Sequence, residues 1–203
     1  MSAITNSPPI PLQQSPFSLF DQWFKEASTT EPGLPEAMSL ATATADGRPS
    51  VRMVLLKDAG PDGFVFYTNT QSRKGDELAA NPFAALCLYW KSVGRQIRIE
   101  GRVSHVTETE ADAYFASRPR VSQLGAWASD QSRVLSSRDV LVERLREIEG
   151  KYQGTDVARP PHWKGYRVAP DVIEFWQDVA NRLHDRLVYR RNGDQWQVER
   201  LYP

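Results

Sequence analysis

The residues best suited to chemistry are cations gathered on one short stretch. Arg52 and Lys57 bracket the apolar run Met53-Val54-Leu55-Leu56, and Arg73 and Lys74 follow a second run, Phe64-Val65-Phe66-Tyr67-Thr68. Between the runs, Gly60-Pro61-Asp62-Gly63 is turn chemistry. The pattern predicts a strand, a tight turn and a second strand pairing back on the first. A helix should then open at Ser72 and close near Asn81-Pro82. A helix start offers free N–H groups and partial positive charge, which suits an anion. Basic residues there oppose the usual preference for acids. Arg52, Arg73 and Lys74 therefore make most sense around a phosphate. Solvated cations at the ends of a hairpin are the plainer alternative.

Two further groups stand out. Tyr114 and Arg118 lie four apart and share a helix face, and Ser122 can follow them across Pro119. A phenol, a guanidinium and a hydroxyl suit a phosphate monoester; an exposed arginine on a helix surface is the alternative. In Arg182-Leu183-His184-Asp185-Arg186, an extended backbone would put Arg182, His184 and Arg186 on one face and Leu183 on the other. A lone histidine is more often structural, but two arginines beside it favour an anion-facing or electron-rich site.

The elements that must position these groups follow from periodicity. Residues 1–16 hold Pro8, Pro9, Pro11 and Pro16 among polar residues and predict a mobile tail. Phe17, Phe20, Trp23 and Phe24 have helical spacing. Residues 37–44 read as the first strand, turning at Asp46-Gly47 into the Arg52 strand. Residues 83–90 are continuously apolar, a strand buried on both faces, and residues 96–103 alternate, with Gly101 a candidate bulge. Thr107 and Glu110 form a capping box for a helix to Ser117. Pro119 should interrupt it before a second helix that runs to Trp127. Ser136 or Ser137 caps a third helix, striped by Leu141, Leu145, Ile148 and Tyr152. Residues 165–168 and 172–177 read as two strands. Asn192-Gly193 predicts a type I′ hairpin between residues 186–191 and 195–202. Antiparallel strands with a few helices indicate an α+β barrel.

Length and composition bound the function. The 203 residues fit one domain, taken as residues 17–203 behind the tail. Lys plus Arg equals Asp plus Glu, 25 each, so nothing suggests nucleic acid or a polybasic membrane patch. The single cysteine, Cys87, excludes an internal disulfide and reads as a buried, inert thiol. His105, His162 and His184 lack zinc-ligand spacing, so no metal is expected. No run can span a bilayer as a helix, and no secretory pattern opens the sequence, so a cytoplasmic protein is expected. Neither G-x-G-x-x-G nor Walker A is present, which disfavours a dinucleotide fold. If a flavin binds, side chains must hold its phosphate, and Tyr67 and Thr68 could meet its ring or ribityl chain.

The motifs Arg52 to Lys57, Phe66-Tyr67-Thr68-Asn69 and Ser72-Arg73-Lys74 resemble the flavin-binding region of the pyridoxamine 5′-phosphate oxidase family. The likeness continues through Tyr114, Ser117-Arg118-Pro119-Arg120, Ser122-Gln123 and Gly125-Ala126-Trp127. It closes with Phe175-Trp176-Gln177 and residues 182–186, in family order over residues 17–203. The resemblance implies an antiparallel split β-barrel with flanking helices, a homodimer, and FMN at the subunit interface. It implies FMN contacts from Arg52, Met53, Val54, Leu55, Leu56, Lys57, Tyr67, Thr68, Arg73, Lys74, Gln96, Gln131, Ser132, Trp176 and Arg186. By themselves Gln96 reads as a solvated strand residue and Trp176 as core. It also implies that Lys57, Tyr114, Arg118 and Ser122 grip a substrate phosphate. Arg182 and His184 would then act at the substrate ring, with Leu183 beside them. The implied reaction is oxidation of pyridoxine or pyridoxamine 5′-phosphate by O2 to pyridoxal 5′-phosphate. A split-barrel oxidase of another ring, such as a phenazine precursor, and a non-catalytic flavin or pyridoxal-phosphate binder are the alternatives. Two departures from the family pattern stand out. The segment before Phe17 lacks the Arg- and Tyr-containing stretch of some members, and Asp178-Val179-Ala180 stands where glycine is common.

Overall fold

The computed structural model describes residues 8–203. In chain order the helices and strands are α1 (Pro16–Thr30), β1 (Ala37–Ala43), β2 (Pro49–Leu55), β3 (Asp58–Gly60), β4 (Gly63–Asn69), α2 (Arg73–Ala80), β5 (Phe83–Trp90) and β6 (Arg95–His105). They continue as α3 (Glu108–Ser117), α4 (Arg120–Ala128), α5 (Arg138–Lys151), β7 (Trp163–Gln177), β8 (Asp185–Asn192) and β9 (Gln195–Arg200). The sheet runs β2-β1-β5-β6-β7-β4-β3, with β8 and β9 extending from β7. Every pairing is antiparallel.

Strand β7 is where the sheet divides. Its first half, residues 163–168, pairs with β4, and its second half, residues 172–177, pairs with β8. On its other side β6 pairs with it from Tyr166 to Gln177. This is the α+β split barrel expected. The interior is filled by Trp23, Phe64, Phe66, Trp90, Phe175 and Tyr189, each fully buried. Helix α1 packs Phe17, Leu19, Phe20, Trp23 and Ala27 into the same core. Pro16 opens that helix, where a missing N–H costs little, and the Ser15 hydroxyl accepts from the Phe17 N–H.

Several expectations are corrected. The second apolar run does not pair back on the Arg52 strand. β2 pairs with β1 over its whole length, whereas β4 pairs with β7 and the short β3. Burial explains this. β4 is buried on both faces and needs a central place, while Val51 and Met53 leave β2 suited to an edge. β5 is not buried on both faces: Leu86, Leu88 and Trp90 point inward, but Phe83 and Tyr89 are exposed. Cys87 is half-buried, and burial pushes its thiol pKa up, away from reactivity.

The two strands expected over residues 165–177 are one. Pro170 sits opposite Gly101, where the β6–β7 register shifts, and a bulge is where a central strand tolerates proline. A Cβ on Gly101 would stand 1.9 Å from the Ala169 carbonyl oxygen, so glycine is required there. In the last hairpin Asn192 pairs with Gln195, so Gly193 and Asp194 form the turn. Only Gly193 has a positive φ, 60°, whereas type I′ needs it at both central positions. Helix α5 buries no residue fully, but Leu145, Ile148 and Tyr152 pack half-buried on Phe115, Leu124, Val157 and Trp163.

The mobile tail is corrected in part; residues 1–7 lie outside the described residues. Ile10 is 1% exposed and belongs to the core. Its N–H donates to the Asp185 carboxylate at 2.6 Å, and Arg200 donates to its carbonyl at 2.6 Å. The Tyr189 hydroxyl donates to the Gln13 carbonyl at 3.1 Å. One isoleucine among prolines gives no periodic signal, so this segment reads as disordered although it is anchored. Ile10→Ala should lower stability by about 2–4 kcal/mol in urea unfolding; an unanchored segment would show no change.

Candidate active site

One cavity of about 480 Å³ gathers most of the residues singled out by their chemistry. β2 and the turn after it contribute Arg52, Met53, Val54, Leu55 and Lys57, and β4 contributes Tyr67 and Thr68. Lys74 enters from α2, and Gln131 from the segment after α4. Tyr114, Arg118 and Ser122 enter from α3, α4 and the bend at Pro119. Trp163 of β7 completes the wall; no sequence signal had marked it.

The start of α2 is built to aim Lys74 inward. A Cβ on Gly75 would stand 2.1 Å from the Thr70 carbonyl oxygen, so glycine lets the helix open tightly against the end of β4. The Ser72 hydroxyl donates to the Asn69 carbonyl at 2.7 Å and fixes the same corner. Lys74 Nζ then donates to Thr68 Oγ1 at 3.0 Å, Ser72 Oγ at 3.2 Å and Gln131 Oε1 at 2.5 Å. Its partners are all neutral. Burial lowers the Lys74 pKa to about 8, and the nearby Arg52 charge adds to the effect.

Arg118 ends α3 with its guanidinium 4.8 Å from the Trp163 ring centroid and 5.5 Å from that of Phe115. One of its Nη atoms is buried without any hydrogen-bond partner among the described residues. Burial lowers its pKa, against the influence of Tyr114. Beside it Tyr67 stacks on Tyr114 at 4.2 Å and on Trp163 at 5.0 Å, with those two rings 6.1 Å apart, forming an aromatic floor. Burial raises the Tyr67 pKa, reinforced by Glu110, so its phenol stays protonated.

Of the four cations around the first motif, three line the cavity. Arg52 donates to the Leu40 carbonyl, Thr42, Ser50 and Glu77. Lys57 Nζ lies 4.0 Å from Glu36. Arg73 is not brought in: its side chain is 64% exposed and pairs with Glu77, four residues on, at 2.9 Å. Leu56 turns into the core, with its N–H on the Glu36 carbonyl. Ser132, exposed, follows Gln131 with φ at 70°.

The remaining residues form a second group elsewhere. Gln96, Trp176 and Arg186 stand in one row across β6, β7 and β8. Arg186 is held by both oxygens of buried Glu174 at 2.9 and 3.1 Å. The His184 ring lies 4.6 Å from that of Trp176, and its Nδ1 is 3.0 Å from Asp178. Residues 182–186 are extended only from Asp185 onward: Asn181 and Arg182 adopt left-handed φ values of 59° and 61°. Arg182 and Leu183 are exposed there. Two adjacent non-glycine residues in that region store strain, a trait that clusters at working sites. None of Gln96, Trp176, Arg182, Leu183, His184 and Arg186 lines the cavity that holds Arg52, Lys74 and Arg118.

Among the described residues no cluster of His, Cys, Asp and Glu could hold a metal ion. No helix among them is long and apolar enough to cross a membrane.

The sequence profile described as "Pyridoxamine 5'-phosphate oxidase" matches residues 24–152. A second, "Pyridoxine 5'-phosphate oxidase C-terminal dimerisation region", matches residues 163–203. The chain belongs to the pyridoxamine 5′-phosphate oxidase family. A relative from Sphingopyxis alaskensis, named pyridoxine/pyridoxamine 5'-phosphate oxidase, is 59% identical over 192 residues, covering 95% of this chain and 89% of its own. One of the same name from Gluconobacter oxydans is 56% identical, covering 98% and 100%. Among solved structures, PhzG from Burkholderia lata in complex with tetrahydrophenazine-1-carboxylic acid superposes with a TM-score of 0.88 at 35% identity, over 94% of each chain. A pyridoxamine 5'-phosphate oxidase-related FMN-binding protein from Nostoc punctiforme shares the fold, with a TM-score of 0.75 at 18% identity, covering 93% of this chain and 98% of its own. The first profile ends at residue 152, before β7, and the second begins with Trp163, the first residue of β7 and a wall of the cavity.

Lys74 yields a pH prediction. Its native pKa of about 8 lies below the unfolded value of about 10.4, so between them the unfolded chain binds more protons. Its contribution to the stability of the ligand-free protein therefore rises with pH across that window. Lys74→Met should remove this rise and stabilise the ligand-free protein at pH 7 by on the order of 1 kcal/mol. Urea midpoints of both proteins from pH 7 to 10 test it; identical curves would place Lys74 in solvent.

Proposed function

We propose that the chain oxidises pyridoxine 5′-phosphate and pyridoxamine 5′-phosphate to pyridoxal 5′-phosphate, with FMN as cofactor and O2 as electron acceptor. The observation that carries the reading is the pair Lys74, buried, and Arg118, half-buried with one Nη buried, which have no carboxylate partner among the described residues and line one cavity. A buried charge is tolerated when an anion completes it. Two such cations suit two phosphates, one on the flavin and one on the substrate. The names of the relatives, at 53–59% identity, support the same reaction.

Lys74 and Arg52, with Thr68 and Gln131 beside them, would hold the flavin phosphate. The backbone of residues 53–56 would border its ring, and Ser132 would follow Gln131. When bound, FMN supplies the redox chemistry: two electrons taken as a hydride from substrate C4′ and passed to O2, giving H2O2. Arg118, Tyr114, Ser122 and Lys57 would grip the substrate phosphate. Arg118 can bind it in bidentate fashion without losing an existing ion pair. The proton left on the C4′ oxygen or nitrogen goes to solvent, and water releases ammonia from the oxidised amine.

The second group, outside this cavity, would come from a second copy. We place the flavin at the interface of a homodimer, where Gln96, Trp176 and Arg186 of one copy would face the cavity of the other. Arg182 would orient the substrate ring, with His184 and Leu183 beside it. The dimerisation profile over residues 163–203 and the exposed Val51, Met53, Phe83 and Tyr89 support this arrangement. Residues 17–203 would work as one unit, because β7 joins the cavity to the second group. A cytoplasmic setting suits a chain with one free thiol. Oxidation of a phosphate-free ring, as the Burkholderia lata relationship could suggest, would leave Arg118 unused.

Purified protein should release FMN, not FAD, on denaturation. Its yellow colour should bleach on anaerobic addition of pyridoxine 5′-phosphate and return in air; failure to bleach would reject the oxidase. Arg118→Ala should raise KM for the phosphorylated substrate by about 10–100-fold, the cost of a lost charged hydrogen bond, while FMN stays bound. Equal turnover of phosphate-free pyridoxine by the unmodified enzyme would reject the phosphate grip.

A further inference from the structure

Glu77 does not line the cavity, yet it is the most heavily engaged acid beside it. Its side chain is 4% exposed. Oε2 accepts from Thr42, from Ser50 at 2.5 Å and from Arg52 Nη2 at 3.2 Å. Oε1 accepts from Arg73 Nε at 2.9 Å. Burial would raise its pKa, but these four donors hold it at about 2, so it is ionised throughout the neutral range.

One carboxylate thus ties three elements together. Thr42 belongs to β1, Ser50 and Arg52 to β2, and Arg73 to the first turn of α2, next to Lys74. A plain staple between sheet and helix would need only a neutral acceptor for the two hydroxyls. What Glu77 adds is charge. It draws the two guanidinium groups to opposite oxygens, one in the cavity wall and one at the helix mouth. Without it, Arg52, Arg73 and Lys74 would crowd three positive charges at one corner. With it, two net positive charges remain, the complement of a phosphate dianion. It also fixes Arg52 in one rotamer, so little side-chain freedom is left to lose when a ligand binds.

We propose that Glu77 is a positioning residue for the flavin phosphate: it anchors Arg52 in the cavity wall and sets the charge of the corner to match a dianion. This rests on the FMN reading above. It acts through Arg52 and touches no ligand itself.

The test compares FMN with riboflavin, which lacks the phosphate. Flavin-stripped full-length protein is titrated with each, and dissociation constants are read from flavin fluorescence. The proteins are wild type, Glu77→Gln, Arg52→Met and the double variant. Wild type should prefer FMN over riboflavin by about 100-fold or more. Glu77→Gln should weaken FMN by about 10–100-fold and riboflavin by less than about 3-fold. On the Arg52→Met background the same substitution should cost FMN affinity only a few-fold, because its route of action is gone. Equal losses for both ligands would make Glu77 a structural staple and overturn the proposal. So would an unchanged FMN preference, or full additivity with Arg52→Met. If Glu77→Gln does not fold, Glu77→Asp keeps the charge but retracts it; a selective, smaller loss of FMN affinity is expected, and an unchanged preference overturns the proposal. Wild type binding both flavins equally would instead reject the phosphate reading itself.

Discussion

Two cations without a carboxylate partner among the described residues, Lys74 buried and Arg118 half-buried, are the constraint on which the rest of this structure turns. Desolvation works against both charges: burial lowers the pKa of both. A chain bears such a cost where a ligand returns it, and strain of this kind collects at working sites. The surrounding fold can be read as the means of holding these two groups in place. Lys74 is carried by a helix start pinned to the end of β4 through Ser72 and Gly75. Arg118 is carried by a helix end pinned over Trp163 of β7. Because β4 and β7 are hydrogen-bonded neighbours, the two cations reach one cavity from adjacent strands. The stack of Tyr114, Tyr67 and Trp163 links the helices to that strand pair.

Local chemistry was legible in the sequence, and long-range pairing was not. The capping box of Thr107 and Glu110, the break at Pro119 and the bulge at Gly101 each depend on neighbours within a few residues or on one residue's backbone freedom. Their patterns survive in the fold. The partner of the Arg52 strand depended instead on which strand is buried on both faces, a property of the whole sheet. The hairpin geometry between residues 56 and 64 carried no trace of it. The same limit hid the fusion of two short strands into β7: Pro170 normally ends a strand, and only the bulge opposite admits it.

The cavity shows the same division. Arg52, Lys57, Tyr67, Thr68, Lys74, Tyr114, Arg118 and Ser122 could be singled out because cations and hydroxyls recur on short motifs, and all of them line it. Glu77 and Trp163 could not. An acid four residues after an arginine reads as an ordinary surface pair, and a tryptophan after two prolines reads as core. Only packing shows that Glu77 is buried between two guanidinium groups, or that Trp163 underlies Arg118.

The distribution of the two groups over the fold bears on how such a site can work. Phosphate recognition is assigned to side chains on regular elements, whose rotamers are set by Glu77, Gln131 and the aromatic stack. Ring recognition is assigned to Arg182, on a turn with two left-handed residues and no burial. In the proposed site, rigid elements would hold the constant parts of both ligands with geometry already present in one copy. In the proposed dimer, that exposed turn would stand at the reacting carbon, where a small misplacement costs rate. That turn lies on the segment matched by the dimerisation profile. In the proposed dimer the phosphates are therefore gripped by one copy and the reacting ring by the other. Assembly then becomes a condition for turnover and not merely for stability. A lone copy would keep its phosphate-binding cavity and lack the residues that orient the ring.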